Sequence, residues 1–427
     1  VDRITKEQFK FAPASIDAVV LSHAHLDHSG LLPKLVHEGF KGKIYCTHGT
    51  HKLLKILLED AVHIYLKDLE YENLRRERAG KKPLFPQYTL DDVQTVLNLC
   101  CALDYHQAHI FLEKFTLTFY DAGHILGSSI VQLVLNDNHN AKTLVFSGDL
   151  GNPDTSLMRN FDFIDNADVV LMESTYGDRD HRCFAETLDE FKAILKQAEQ
   201  DGGNILIPAF AVGRTQELLF HLGKMYHEGL LDHWHIFLDS PMAKAVTNVY
   251  SDCIKQLDKE DVAFITAHQG EDISSFLPNL TISESVEDSA AINNIKNGAI
   301  IIAGSGMCTG GRIRHHFKHR LWKANTHIVF VGFQARGTLG RILVDGVKRI
   351  KLFGQPMIVR AHIHTLGGFS AHAGQKELLA WASHFKPQPR LYLIHGEPKA
   401  MEVLSDALAQ KHRINAEVPA QLSQILF

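Results

Sequence analysis

The stretch LSHAHLDHSG, residues 21–30, sets three histidines and an aspartate within six positions, directly after the apolar run DAVVLS. That run of β-branched and apolar residues reads as a strand, whose end hands His23, His25, Asp27 and His28 to a loop. Open α/β sheets place their chemistry at such C-terminal strand ends. Imidazole and carboxylate together suit zinc, which takes about four ligands of this kind per ion. One short loop cannot surround an ion, so other parts of the chain have to bring ligands to the same rim.

Four further positions have the required character. His124 in DAGHILGSS, Asp149 in VFSGDLG, Glu173 in VLMESTYG and His395 in YLIHGE each close a predicted strand beside a glycine or another small residue. Small neighbours fit a crowded site that backbone must approach closely. His372, in GGFSAHAGQ, lies in a loop just before a predicted helix. Histidines such as His48, His106, His139, His181, His315 and His384 read as solvated or hydrogen-bonded. His362 and His364 alternate in MIVRAHIHTL, and a strand-face role is preferred for them over a ligand pair.

A chain of 427 residues can hold two or three domains with substantial cores. After the histidine-rich loop, LLPKLVHEGF reads as a helix, KGKIYCT as a strand, and the segment from His51 to Arg78 as a long helix. From Phe111 onward IFLEKF, TLTFYDAGH, SSIVQLVLN, TLVFSGD and ADVVLMEST follow one another as strands with turn signals between them. Past Asp178 strands and helices alternate, the signature of a parallel α/β domain. Strand-rich sequence returns after Lys348. The expected organisation is one domain inserted into another: residues 1–178 and 349–427 form the outer domain and residues 179–348 the insert.

Composition narrows the partners. A net charge of −5 excludes a strongly basic protein and leaves room for a local basic channel. The six cysteines show no C-x-x-C spacing and read as core or incidental thiols. No apolar run approaches membrane-spanning length and no signal-peptide pattern opens the chain, so a cytoplasmic protein is expected. The first residue is Val1 rather than methionine, which reads as a fragment or a processed start.

The motifs, taken in order, carry a resemblance. SHAHLDHSG, AGHILGSS and FSGDLG resemble motifs two to four of the metallo-β-lactamase superfamily. ESTYG, FSAHAGQ and LIHGE resemble motifs A, B and C of its β-CASP branch of nucleases. PAFAVGRTQE, LDSPMA and AGSGMCTGGR resemble the inserted domain of that branch. The likeness spans almost the whole chain and is strongest to short bacterial members similar to the nuclease subunit of the cleavage and polyadenylation machinery. The fold it implies is an α/β one: an αββα metallo-β-lactamase core with an inserted parallel-sheet β-CASP domain.

The resemblance also implies roles. His23, His25 and His124 would hold one zinc and Asp27, His28 and His395 a second, with Asp149 bridging, which gives two zinc ions per chain. His372 would act as general acid and Glu173 as the carboxylate that orients it. The implied activity is hydrolysis of single-stranded RNA by a two-metal mechanism, as an endonuclease with 5′-exonuclease action as a second mode. A histidine at motif C, here His395, accompanies RNA-cleaving members. Arg214, Ser305 and Arg312 are the candidate substrate contacts, from PAFAVGR and the Gly-rich loop GSGMCTGGR. Homodimers are common in the family; the residues themselves point to none. The alternatives are a catalytically silent RNA-binding scaffold, a DNA-directed nuclease and a small-molecule zinc hydrolase. Twenty-two residues precede His23, so the glycine-rich strand pair and aspartate-bearing strand that open the family's fold are expected to be missing.

Overall fold

The computed structural model describes residues 8–137 and 140–425, without the side chains of Asp137 and Asn140. Val1 and its neighbours to residue 7, where the expected loss of the opening strands falls, and His139 lie outside the described residues. The chain forms two compact units. The first is made of residues 1–151, 160–178 and 375–427, the second of residues 152–159 and 179–374.

The first unit contains two sheets. Strands Ala18–Val20, Lys43–Thr47 and Cys100–Leu103 pair in that order, all parallel. The period-two alternation of a strand decides what each face meets. Ile44 and Cys46 turn to a cluster with Leu54, Leu58 and Val62 of the long helix His48–Arg78 and Val93 and Val96 of the helix Leu90–Leu99. Tyr45, together with Ala18 and Val20, turns the other way and packs on Leu117, Phe119 and Val131. Those residues belong to a seven-stranded sheet in the order Ala416–Glu417, Arg390–Ile394, Val169–Glu173, Asn140–Phe146, Ser129–Asp137, Phe115–Asp121, His109–Phe111. Its first four strands run parallel and the rest pair antiparallel. Two sheets face to face under flanking helices give the αββα arrangement.

The second unit is built on one six-stranded sheet in the order Leu280–Ile282, His235–Asp239, Ala299–Ala303, Asn204–Pro208, Thr326–Phe330, His362–Thr365. Every pairing is parallel. Asn204–Pro208, Ala299–Ala303 and Thr326–Phe330 are buried along their whole length. Parallel strands covered on both faces read as continuous apolar runs for this reason.

The compact second unit extends past the expected boundary at Lys348. His362–Thr365 pairs with Thr326–Phe330 as an edge strand, and Ile350, Leu352, Val359 and Ala361 share a core with Leu206, Ile301 and Phe330. The second unit therefore runs on to Gly374. The helix Leu90–Leu99 and the strand Cys100–Leu103 were not anticipated either. A short apolar run, LNLCCAL, carries no period that separates the end of a helix from the start of a strand. Among the described residues no helix is long and apolar enough to cross a membrane.

Candidate metal centre

Strand Ala18–Val20 ends where Leu21 N–H reaches Tyr45 O, and the next residues are pinned from the neighbouring sheet. Ser129 donates both its N–H and its hydroxyl to Ser22 O, each at 2.9 Å. Beyond Ser22 the chain has three residues outside any helix or strand, and the rings of His23 and His25 come within 4.9 Å of each other. It then winds into a single helical turn, Leu26–Ser29, which presents Asp27 and His28. Ser29 locks that turn by donating its hydroxyl to Ala24 O at 2.8 Å and to His25 O at 3.0 Å.

His124 comes from the AGHILGS loop at the end of strand Phe115–Asp121. Ser128 Oγ accepts the His124 N–H at 3.0 Å and fixes the loop. Gly127 closes it at φ 82°, and a Cβ there would sit 2.1 Å from Thr50 N, so only glycine fits. Asp149 follows strand Asn140–Phe146. Gly148, at φ 56°, lets the chain turn where a Cβ would meet Ser129 O at 2.7 Å.

The side chains converge. His25 Nδ1 lies 3.2 Å from His23 Nε2 and 3.2 Å from His124 Nε2. Asp149 Oδ2 is 3.4 Å from His23 Nε2 and 3.7 Å from His124 Nε2. Its other oxygen, Oδ1, faces a different set: His28 Nε2 at 3.4 Å and His395 Nδ1 at 3.3 Å. Asp27 completes that set, 3.5 Å from His395 Nε2 and 3.9 Å from His28 Nε2. The carboxylate of Asp149, 2% exposed, thus offers one oxygen to each histidine group.

These spacings fit divalent metal. Tetrahedral bonds of about 2.0–2.1 Å put neighbouring ligand atoms about 3.3–3.4 Å apart, and the first set spans 3.2–3.7 Å. Three ring nitrogens around one point cannot all be satisfied by exchanging single protons. Burial holds His23 well below the ordinary histidine value, against the pull of Asp149, so a proton on that ring is disfavoured too. His28 Nε2 is buried and makes no hydrogen bond. The second set is more open and already partly ionic. The hydrogen bond to Asp27 raises His395 to about 9, against the opposing effect of burial. Burial would raise Asp27, yet that bond and the charges of His28 and His25 hold it at about 2.

His395 closes strand Arg390–Ile394 in a left-handed conformation, φ 51°. A non-glycine residue adopts this at some cost, commonly where function requires it. Ser174 N–H and Thr175 Oγ1 donate to its carbonyl at 3.4 and 3.2 Å. Glu173 is fully buried at the end of its strand; Oε1 accepts Leu150 N–H at 2.7 Å and Oε2 accepts Thr175 N–H at 3.2 Å. It also groups with Asp149 and His395 as a candidate ligand set.

Three family models match along the chain: a metallo-β-lactamase superfamily domain over residues 2–174, a Beta-Casp domain over 215–343, and a Zn-dependent metallo-hydrolase RNA specificity domain over 356–419. Ribonuclease TTHA0252 of Thermus thermophilus is 39% identical over 94% of this chain and 86% of its own length. The chain belongs to the metallo-β-lactamase superfamily, in its β-CASP branch. Transcription termination factors FttA of Pyrococcus abyssi and Thermococcus kodakarensis are 32% and 33% identical, and the chain spans 63% and 62% of their lengths. A subclass B3 metallo-β-lactamase from a soil metagenome aligns over 32% of this chain and 43% of its own at 16% identity and a TM-score of 0.20, which carries no argument. The superfamily's fold implies divalent metal ions, and this β-CASP chain has the residue groups to hold them.

The remaining expected residues of this β-CASP member lie in the second unit. The loop of His372 is tied down by its own neighbours: His181 Nε2 is 2.8 Å from His372 O, His372 N–H donates to Ser370 Oγ, and Asn152 N–H and Nδ2 donate to Ala371 O and Ser370 O. Both arginines expected to contact substrate have partners within the chain. Arg214 is buried, bonds Glu217 and lies over the Phe369 ring. Arg312 Nη1 is 2.7 Å from Asp239 Oδ1, and the guanidinium also donates to Ser283 O and Glu284 O. Ser305 Oγ accepts Gly310 N–H at 3.2 Å and closes the Gly-rich loop on itself. Sequence reasoning missed the positioning residues Ser22, whose Oγ is 3.1 Å from His23 Nδ1, Ser128 and Asn152. The only signal was adjacency to a ligand or motif.

Proposed function

We propose that this chain is a zinc-dependent ribonuclease that hydrolyses phosphodiester bonds of single-stranded RNA. His23, His25 and His124 would hold one zinc ion, Asp27, His28 and His395 a second, and Asp149 would serve both. The observation that carries the reading is the division of the Asp149 oxygens, Oδ2 toward the first set and Oδ1 toward the second. Bound there, the ions would supply Lewis-acid activation of water and neutralise the charge that builds on the phosphoryl oxygens.

The chain's own residues do the rest. Ser22, by accepting Nδ1–H of His23, leaves Nε2 as a lone pair turned to the site. Glu173 holds the Leu150 amide and so fixes the turn that carries Asp149. His372 hands a proton to the departing sugar oxygen, a task an imidazole performs near neutral pH; its place in the FSAHAGQ motif supports that role. RNA as substrate is supported by the name of the Thermus relative, by the RNA specificity model over residues 356–419, and by the histidine at position 395.

The test is a time course on one 5′-labelled single-stranded RNA beside DNA of the same sequence, with zinc, with chelator and with Asp149→Ala. Zinc-dependent RNA fragments absent from the variant are expected, and their ladder separates internal cuts from end trimming. RNA bound yet left intact would replace the nuclease with a scaffold, and equal cutting of DNA would remove the preference for RNA.

A further inference from the structure

A second cluster of metal-seeking side chains lies in the other unit, on the edge of the six-stranded sheet, and the function above makes no use of it. Strands Thr326–Phe330 and His362–Thr365 run parallel with His327 directly beside His362 and Val329 beside His364. Asp201, the residue that ends helix Phe184–Gln200, reaches the same point: its Oδ2 is 3.1 Å from His327 Nε2 and 4.0 Å from His362 Nε2. One ligand atom from each of the three lies within 4.8 Å of the others. His364 stands behind them, its Nε2 3.0 Å from His327 Nδ1.

We propose that Asp201, His327 and His362 bind a divalent transition-metal ion of the zinc class, with His364 as the residue that orients His327. The donor set is two imidazoles and a carboxylate, which with a water makes the four-coordinate shell that zinc accepts. His327 is fully buried, so its ring is held in place before any ion arrives. When His327 Nδ1–H donates to His364 Nε2, His327 Nε2 turns a lone pair toward Asp201, the usual relation between a ligating histidine and its supporting acceptor. His362 is 45% exposed. Its ring stacks at 4.7 Å on that of His327, with Nε2 4.0 Å from Asp201 Oδ2.

Charge favours the same reading. Asp201 sits at the carbonyl end of its helix, where the dipole already places negative charge and a carboxylate is poorly served. A cation there relieves both. The ion would join the edge strand to its neighbour and to the helix end, so its role is to fasten rather than to react.

The experiment is zinc titration of the stripped full-length chain, with bound metal counted by native mass spectrometry, for the parent, His362→Ala, Asp201→Asn and His384→Ala. His384 is an exposed histidine that pairs with Asp165 and lies against the Phe163 ring, and it serves as the control. The two cluster variants should each bind one ion fewer than the parent, and the control should match the parent. Zinc should also raise the thermal midpoint of the parent by more than that of either cluster variant. Equal stoichiometry in the parent and both cluster variants would overturn the proposal, as would an equal loss in the His384→Ala control. Because only the parent count and its cluster variants are compared, the outcome stands apart from whether the chain cuts RNA.

Discussion

Two carboxylates, one in each unit, lie at or just past a strand's end and are both buried, yet they live in opposite chemistry. Asp239, at the end of His235–Asp239, meets Arg312 Nη1 at 2.7 Å, His316 Nε2 at 2.6 Å and the Ser289 hydroxyl at 2.7 Å. Burial would raise its pKa, but those hydrogen bonds keep it below the ordinary carboxylate value. Asp149, just beyond strand Asn140–Phe146, meets His23, His124, His28 and His395. One carboxylate is neutralised by the chain itself. The other is ringed by four imidazoles, a grouping that a divalent ion would bring together.

The contrast can be broken from either side, and the largest effect falls on Asp149. Asp149→Ala should bring RNA turnover below detection and reduce bound zinc, while the urea midpoint of the second unit stays put; activity retained in that variant would remove the shared-ligand role. Asp239→Ala should do the reverse. Removing one member of a buried ion pair strands the others, so the variant should lose about 3–5 kcal/mol of stability in the second unit. Its zinc content at the first unit should be unchanged. Chemical denaturation with metal analysis on the same samples checks both.

A smaller effect is expected where the first unit's ligands are only steadied. Ser22→Ala leaves every ligand in place and should weaken zinc binding by about 10–100-fold, the usual cost of losing a partner behind a ligating histidine. Competition with a chromogenic chelator would measure it. The second unit supplies the matching case without metal. His221 is buried among Phe184, Phe220 and Phe369, and burial, with Lys224 and Arg214 nearby, pushes its pKa down to about 3. The unfolded chain takes up a proton near 6.5 while the folded one does not, so stability is lost as pH falls from 6.5 toward 3. From pH 7 to pH 5 the loss should be about 2 kcal/mol at about 1.4 kcal/mol per unit. His221→Leu should flatten that slope in urea unfolding curves.

The candidate groups of the first unit could be anticipated because strand ends and residue types can both be read from one sequence. His124, Asp149 and His395 follow strand ends beside a small residue, the SHAHLDH run follows another, and the structure groups these residues on one unit. What escaped was which partner each arginine takes: Arg214 bonds Glu217, three residues on in the same motif, and Arg312 is held by Asp239, 73 positions earlier. The spacing of His362 and His364 was read correctly as a strand alternation. The neighbour that matters, His327, is set by sheet register, which the sequence of one strand does not contain.

The most direct test is diffraction from zinc-loaded crystals on either side of the zinc absorption edge. The account predicts two anomalous peaks in the first unit, one against each oxygen of Asp149. A single peak there, or two that leave Asp149 untouched, would contradict it.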